Sequence, residues 1–209
     1  SGDLVDLGLV KSLAHPGGNV TGIQFLALEL VGKRIEILKE ILPKLKRVAV
    51  IADPSHAGVH AERDASMAAA ERLAISVSFH PVKHGGELDA GLAAALASGA
   101  EALVVFPDAV TNPNRERIAA FALQHSLPTV AGWAHHASAG QLVAYGPNLR
   151  ASWRRIPYFV DRILKGADPA TLPVELPTLV ELVVNLKTAR ALGVSVPQTV
   201  LLRADRVIE

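Results

Sequence analysis

The alternation of short β-branched runs with longer helical segments constrains this sequence more than any other feature. RVAVIA at 47–52 and EALVVFP at 101–107 are typical of buried strands that end at a turn. Residues 28–42 place apolar side chains at helical spacing and stop at Pro43. Strands that alternate with helices in this way form βαβ units. The sequence therefore predicts an α/β fold, a Rossmann-like doubly wound parallel sheet with helices on both faces.

The remaining elements follow from the same patterns, although the last third of the chain is less regular. Residues 149–165 have helical spacing, but Pro157 lacks a backbone donor and predicts a kink or a break. The proline-rich stretch 166–177 predicts an extended crossing segment, followed by a strand at 178–186 and a short helix at 187–193. Further helices are predicted at 57–73, 87–97 and 114–125, and further strands at 75–82, 127–132 and 141–146.

Composition argues against several classes of protein. The 209 residues carry a net charge of +1 with Lys and Arg scattered along the chain, which does not indicate binding to nucleic acid or to an anionic membrane. Without cysteine there can be no disulfide, thiol catalysis or cysteine-ligated zinc. The chain begins at Ser1, its one methionine is Met67, and it has no signal-peptide pattern. We therefore expect either that a leader has been removed or that the chain is a fragment of a longer protein.

Candidate functional residues lie where the predicted strands end, because doubly wound sheets bind ligands at their carboxyl edge. Asp53, Asp108, Trp133 and Tyr145 occupy such positions in a chain in which only 4% of the residues are aromatic. An aromatic ring offers a flat apolar surface to a ligand, and a carboxylate can bind an ammonium group. The alternative is that both aspartates cap helices, and that Phe106 is only part of the core. Both interpretations remain open for these residues.

Other patterns are weaker. His56 and His60 would share one face of a helix near Glu62, as metal ligands do, but no third ligand follows at a suitable spacing. The adjacent His135 and His136 are predicted to lie in a loop, where one of them can line a cleft. The sequence contains no G-x-S-x-G elbow, no dinucleotide fingerprint and no Walker lysine motif. We therefore predict no catalytic residue, no cofactor and no metal.

Several longer runs resemble one known family. They are GLVKSLAHPGGNVTGIQ near the start, the helix LELVGKRIEILKEIL, the stretch GQLVAYGPN and the segment ELVVNLKTARALG, followed by the closing LLRADRVIE. These runs are similar to those of ABC transporter substrate-binding proteins of the tryptophan/tyrosine type or of unknown substrate. The resemblance covers essentially the entire chain, and PGGNVTG and NLKTARALG are its most specific parts.

The resemblance implies a periplasmic binding protein of type I, in which two Rossmann-like lobes enclose a ligand in the cleft between them. Family members begin with βα units that are absent here, so the chain would hold one type I-like lobe plus remnants of a second. Residues 1–26 would end the first lobe and form a hinge segment over 20–26. Residues 27–132 would be the second lobe, and 133–209 would contain crossing segments and a part that returns to the first lobe.

The resemblance also implies a site and a function. The cleft-facing residues would be Gln24, Asp53, Asp108, Trp133 and Tyr145. The implied function is capture of a small molecule, with an amino acid or an aromatic carboxylate as the leading class, for a membrane permease in the periplasm or another extracytoplasmic location. The alternative is a ligand-sensing or enzymatic domain with the same fold, since a fold does not determine function.

The remnants of the first lobe would expose apolar surface to solvent. Such a surface is expected to be buried against other protein. We expect these segments to fold back on the second lobe or to pair with another copy of the chain in a homodimer.

Overall fold

The computed structural model describes residues 2–25 and 27–209. Ser1 and Leu26, the last residue of the predicted hinge segment, lie outside the described residues. The helices are α1 (Ala27–Ile41), α2 (Val59–Arg72), α3 (Leu88–Ala97), α4 (Arg115–Gln124), α5 (Ala134–Ser138), α6 (Leu149–Leu164), α7 (Leu186–Ala191) and α8 (Gln198–Leu201). The strands are β1 (Arg47–Ala52), β2 (Ser76–Pro81), β3 (Ala102–Val105), β4 (Thr129–Ala131), β5 (Val143–Pro147), β6 (Val180–Asn185) and β7 (Arg206–Ile208).

All seven strands form one sheet in the order β2-β1-β3-β4-β5-β6-β7. Neighbouring strands are parallel, as in the pairing of Val50 with Val104, except that β6 runs antiparallel to β5. The strands are linked by helices, which is the connection that parallel pairs require. The predicted α/β class with a doubly wound, mostly parallel sheet is therefore confirmed.

Two apolar cores cover the two faces of the sheet. Along β1, Val48 and Val50 point into the core beneath α1 and α2, whereas Ala49 and Ile51 point into the core beneath α3 and α4. Because successive side chains of a strand point to opposite faces, a strand that is buried on both faces has to be apolar throughout. The core residues of β1 and β3 are 5% exposed or less, so the centre of the sheet is shielded from solvent on both faces.

The structure differs from the sequence prediction in the region after β4. His135 and His136 were predicted to lie in a loop, but both belong to the short helix α5. This prediction was wrong because five residues are too few to show helical spacing. Helix α6 also continues through Pro157, so of the kink or break that was expected there, the break does not occur. Its start is fixed instead by Asn148, whose side chain accepts a hydrogen bond from the backbone N of Ala151 at 2.8 Å.

The first 24 described residues pack against the extended segment that follows α6. The backbone N of Val174 donates to Leu13 O at 2.7 Å, and the backbone N of Glu175 donates to Gly22 O at 2.8 Å. A parallel bridge pairs Ile23 with Glu175. Residues 166–177 are therefore extended apart from one 3-10 turn at Pro169–Thr171, in agreement with the sequence.

The division into 1–26, 27–132 and 133–209 stays a prediction. Within the third of these ranges, β5, β6 and β7 belong to the same sheet as β1–β4. Of the helices described here, none is both long and apolar enough to cross a bilayer.

Candidate functional site

A pocket opens at the carboxyl edge of the sheet, at the points where the chain passes between the sheet and α6. β4 is followed directly by Gly132 and Trp133, and β5 is followed by the cap of α6. The pocket has a volume of about 710 Å³ and lies between these ends and α6. Its lining residues are Phe25, Asn112, Trp133, His135, Leu149, Arg150, Trp153, Arg154 and Pro157.

One wall of the pocket is aromatic. The rings of Phe25 and Trp133 meet edge to face with their centroids 6.4 Å apart, an arrangement that aromatic pairs favour. His135 lies 5.6 Å from the Trp133 ring, and its Nε2 is hydrogen-bonded to Asn112 Oδ1. Burial lowers the pKa of His135, and the nearby Arg115 lowers it further. The imidazole is therefore neutral at pH 7, and this wall is uncharged.

The opposite wall is the first half of α6, and it carries positive charge. Arg150, Trp153 and Arg154 are exposed on the helix surface, and Trp153 is 67% accessible. Among the residues that the structure describes, no carboxylate forms an ion pair with Arg150 or Arg154. The pocket thus combines large aromatic surfaces with two guanidinium groups that can bind an anion.

Trp133 is the one residue of the five predicted that lines this pocket. Tyr145 packs against the core beneath α1, and its backbone O accepts a hydrogen bond from Arg34. Gln24 is buried and connects to the start of the chain: its Oε1 accepts from the backbone N of Leu4 at 2.8 Å, and its Nε2 donates to Asp3 at 2.9 Å.

Asp53 and Asp108 contact each other at the ends of β1 and β3. Asp108 Oδ2 accepts from the backbone N of Asp53 at 2.8 Å, while its Oδ1 accepts from the backbone N of Val110 and of Thr111. Asp53 Oδ1 accepts two hydrogen bonds from Ser55. Both carboxylates therefore order the loops in which they lie. The assignment of the five residues as ligand-binding stays a prediction.

The sequence analysis missed a buried polar group beneath the same edge of the sheet. Arg34 of α1 is 1% exposed, and its Nε donates to Tyr145 O at 2.8 Å. Burial lowers the pKa of Arg34 to about 10, although the charges of Glu62 and Tyr145 raise it. Its signal in the sequence is a charged residue inside the apolar stripe of α1, three positions after Val31 and four before Leu38.

His56 and Glu62 form a partly buried pair in this region. His56 Nε2 lies 3.3 Å from Glu62 Oε1, and this hydrogen bond raises the pKa of His56 above its usual value in spite of burial. His60, the other member of the histidine pair that the sequence singled out, is exposed. In residues 2–25 and 27–209 no group of three or more acidic or histidine side chains could hold a metal ion.

A second pocket of about 470 Å³ lies at the β2 edge of the sheet. It is lined by residues of β1, β2 and α2, including Phe79, and the Arg63 guanidinium lies 4.9 Å from the Phe79 ring centroid. No residue of the crossing segments contributes to it. Because the two pockets share no lining residue, a substitution in this pocket is a control for one in the first pocket.

The fold and the site together define the class of this protein. A mostly parallel α/β sheet flanked by helices is the architecture of the type I-like periplasmic binding proteins. The chain belongs to the family of ABC transporter substrate binding proteins, because the model of that family matches residues 1–208. The resemblance that the sequence motifs indicated is thereby confirmed.

Known relatives agree with this assignment. A tyrosine-binding protein of Clostridioides difficile (strain R20291) is 25% identical over 191 residues, which make up 91% of this chain and 54% of that protein. The chain therefore spans about half the length of this relative.

Two solved structures share the fold closely. A conserved domain protein from Vibrio cholerae is 26% identical with a TM-score of 0.91, over 98% of this chain and 68% of the other. An ABC domain in complex with L-Trp from Streptococcus pneumonia is 25% identical with a TM-score of 0.88, over 99% of this chain and 69% of the other.

Proposed function

We propose that this chain forms the ligand-binding part of an extracytoplasmic solute-binding component of an ABC transporter, and that its ligand is an aromatic amino acid. One observation carries the proposal: the lining of a single pocket brings Phe25 and Trp133 together with Arg150 and Arg154. Relatives support it, since one is a tyrosine-binding protein and another is a domain in complex with L-Trp.

The two walls match the two ends of such a ligand. An aromatic side chain stacks against Trp133 and Phe25, where it buries apolar area and gains favourable ring contacts. The carboxylate then binds to Arg150 or Arg154 through charge-assisted hydrogen bonds. The ligand ammonium group would require an acceptor. Asp53 and Asp108 are the sequence candidates for that role, but neither lines this pocket and both accept hydrogen bonds within their loops, so their role in binding stays a prediction.

The transport role follows from the family. In substrate-binding proteins of this family, closure of two lobes around the solute is the event that a membrane permease recognises. Periplasmic or extracytoplasmic location, a permease partner and the lack of enzymatic activity belong to this proposal. The homodimer that the exposed first-lobe remnants suggested stays a prediction.

A ligand-sensing or enzymatic domain is the second candidate. An enzyme of this fold would place a nucleophile and a base at one strand end. The aspartates at the ends of β1 and β3 instead accept hydrogen bonds from backbone N–H groups and from Ser55. In this arrangement both carboxylates order the loops in which they lie.

A thermal-shift screen tests the ligand class. A ligand that binds only the folded state raises the melting temperature. We expect L-Trp, L-Tyr and L-Phe to raise the Tm of this chain, and L-Leu, which lacks a ring, to raise it less at the same concentration. Melting shifts produced only by sugars or metal ions would refute the proposed ligand class.

A further inference from the structure

The end of β4 and the end of β5 meet at a point with no room for side chains. The two backbone segments involved, Gly132–Trp133 and Tyr145–Gly146, are called the crossings. A Cβ placed on Gly146 would lie 1.7 Å from the backbone O of Gly132. A Cβ placed on Gly132 would lie 2.6 Å from Pro107 Cγ and 2.9 Å from Arg34 Nη2. The ends of β4 and β5 therefore touch backbone to backbone, and only glycine permits this approach.

The Arg34 guanidinium lies directly at this contact. Its Nε donates to Tyr145 O at 2.8 Å, and its Nη2 packs against Gly132. Arg34 thus contacts both crossings at once. On the β4 side it contacts Gly132, which precedes Trp133, and on the β5 side it contacts Tyr145, which precedes Gly146. Beyond these two contacts, the chain continues into the two walls of the pocket, Trp133 and the start of α6.

The position of Arg34 is costly for the fold. Its side chain is the largest of the fully buried ones in the described chain, and a buried charge is unfavourable unless it is fully paired. Glu62, whose charge acts on Arg34, is already hydrogen-bonded to His56. A Leu or Met at position 34 would complete the apolar stripe of α1 at lower cost. The presence of the guanidinium is therefore better explained by its contacts with Tyr145 and Gly132 than by a contribution to the stability of the core.

We propose that Arg34 is a positioning residue for the ligand pocket: it joins the end of β4 to the end of β5 and so fixes the Trp133 ring opposite α6. The ligand-affinity part of this inference rests on the proposed function. The positioning part does not, because the accessibility of the Trp133 ring to a quencher can be measured without a ligand.

The test uses Trp133 as its own reporter. The chain has two tryptophans, so Trp153→Phe leaves Trp133 as the single indole. In this background, Arg34→Met removes the charge and the donor at similar length, whereas Arg34→Lys keeps the charge and loses the Nε donor. Leu92→Ala is the control, because Leu92 is fully buried in the core on the opposite face of the sheet and does not contact the crossings.

We expect Arg34→Met to raise the acrylamide quenching constant of Trp133 about twofold or more, Arg34→Lys to raise it less, and Leu92→Ala to leave it unchanged. With Trp153 restored, we expect Arg34→Met to weaken L-Trp binding about tenfold in titration calorimetry, and Leu92→Ala to alter it less than about twofold. Partial rescue of affinity by Arg34→Lys supports positioning.

Unchanged quenching in Arg34→Met would overturn the inference, as would an equal increase in Leu92→Ala. If both Arg34 variants fail to fold while Leu92→Ala folds, Arg34 serves stability and the inference is likewise overturned. If the parent chain binds neither L-Trp nor L-Tyr but quenching rises in Arg34→Met, the proposed function fails and the positioning role stands.

Discussion

His136 illustrates how burial sets the charge of a single side chain. It is fully buried, and its Nδ1 lies 3.1 Å from Gln141 Nε2, an amide nitrogen that can only donate. Nδ1 therefore accepts this hydrogen bond, and a neutral ring carries its proton on Nε2. Burial is the main cause that lowers the pKa of His136 from 6.5 to about 3, and the nearby His135, Arg115 and Arg34 lower it further.

This pKa predicts how the free energy of unfolding changes with pH. Between pH 6.5 and 3 the unfolded chain binds a proton at His136 and the folded chain does not, so stability falls as the pH falls through this range. The loss from His136 alone between pH 7 and pH 5 is about 2 kcal/mol. Urea unfolding at both pH values should show a smaller loss for His136→Gln than for the parent chain.

The control is His15→Gln at an exposed histidine, which should keep the pH dependence of the parent. His80 and His135 also have lowered pKa values, so the pH dependence of His136→Gln should shrink without vanishing. A His136→Gln chain that loses as much stability as the parent would show that His136 is protonated in the folded state.

At the residue scale, the sequence predicted the positions that depend on local rules. Trp133 was selected because it follows a strand end, where doubly wound sheets bind ligands, and it lines the pocket. The same rule selected Asp53, Asp108 and Tyr145, which do not line it. Arg150 and Arg154 were not found, because nothing local shows that α6 packs over the end of β4. Arg34 was overlooked although a charge within an apolar stripe is visible in the sequence.

At the scale of elements, α6 is the piece on which the pocket depends. Its N-terminus is capped by Asn148, and its middle is held by Arg155, which makes two hydrogen bonds to Glu175 at 2.7 and 2.8 Å. The Arg155 guanidinium also lies 3.6 Å from the Tyr158 ring centroid. These contacts join α6 to the extended segment after it, while its exposed face packs against nothing else in the described chain.

Loss of the cap should therefore affect both stability and binding. We expect Asn148→Ala to lower the free energy of unfolding by about 1 kcal/mol, because the backbone N of Ala151 loses its acceptor. Arg150 lies in the same turn, so L-Trp affinity should fall as well. Asn148→Asp keeps the acceptor oxygen and should retain the parent's stability in urea unfolding; a loss equal to that of Asn148→Ala would argue against the cap.

Strands and long helices were predicted from the sequence because burial on both faces makes the strands apolar throughout. The prediction for 47–52 matches β1 to the residue. The short elements α5, α8 and β7 were not predicted; helices of four or five residues are too short to show helical spacing. Their places are fixed by tertiary contacts: the Asp205 backbone N donates to Leu182 O at 2.9 Å, and this bond brings the tail beside β6.

At the scale of the whole molecule, one sheet supports a pocket whose walls come from chain segments far apart in sequence. Phe25, Trp133 and α6 meet only because the crossings lie at the same edge of the sheet. The class of fold was predictable from alternating strands and helices, and the family from longer motifs. The combination of aromatic rings and arginines in one pocket was not predictable, because it depends on the three-dimensional arrangement.

Titration calorimetry of L-Trp into the parent chain, Trp133→Ala and Phe79→Ala tests the central claim most directly. Both substitutions remove a ring from the lining of a pocket, but Trp133 belongs to the pocket at the crossings and Phe79 to the pocket at the β2 edge. We predict that Trp133→Ala weakens binding about tenfold or more and that Phe79→Ala changes it less than about twofold, in line with about 1–3 kcal/mol for a buried aromatic contact. Equal affinity of the parent chain and Trp133→Ala would contradict the account.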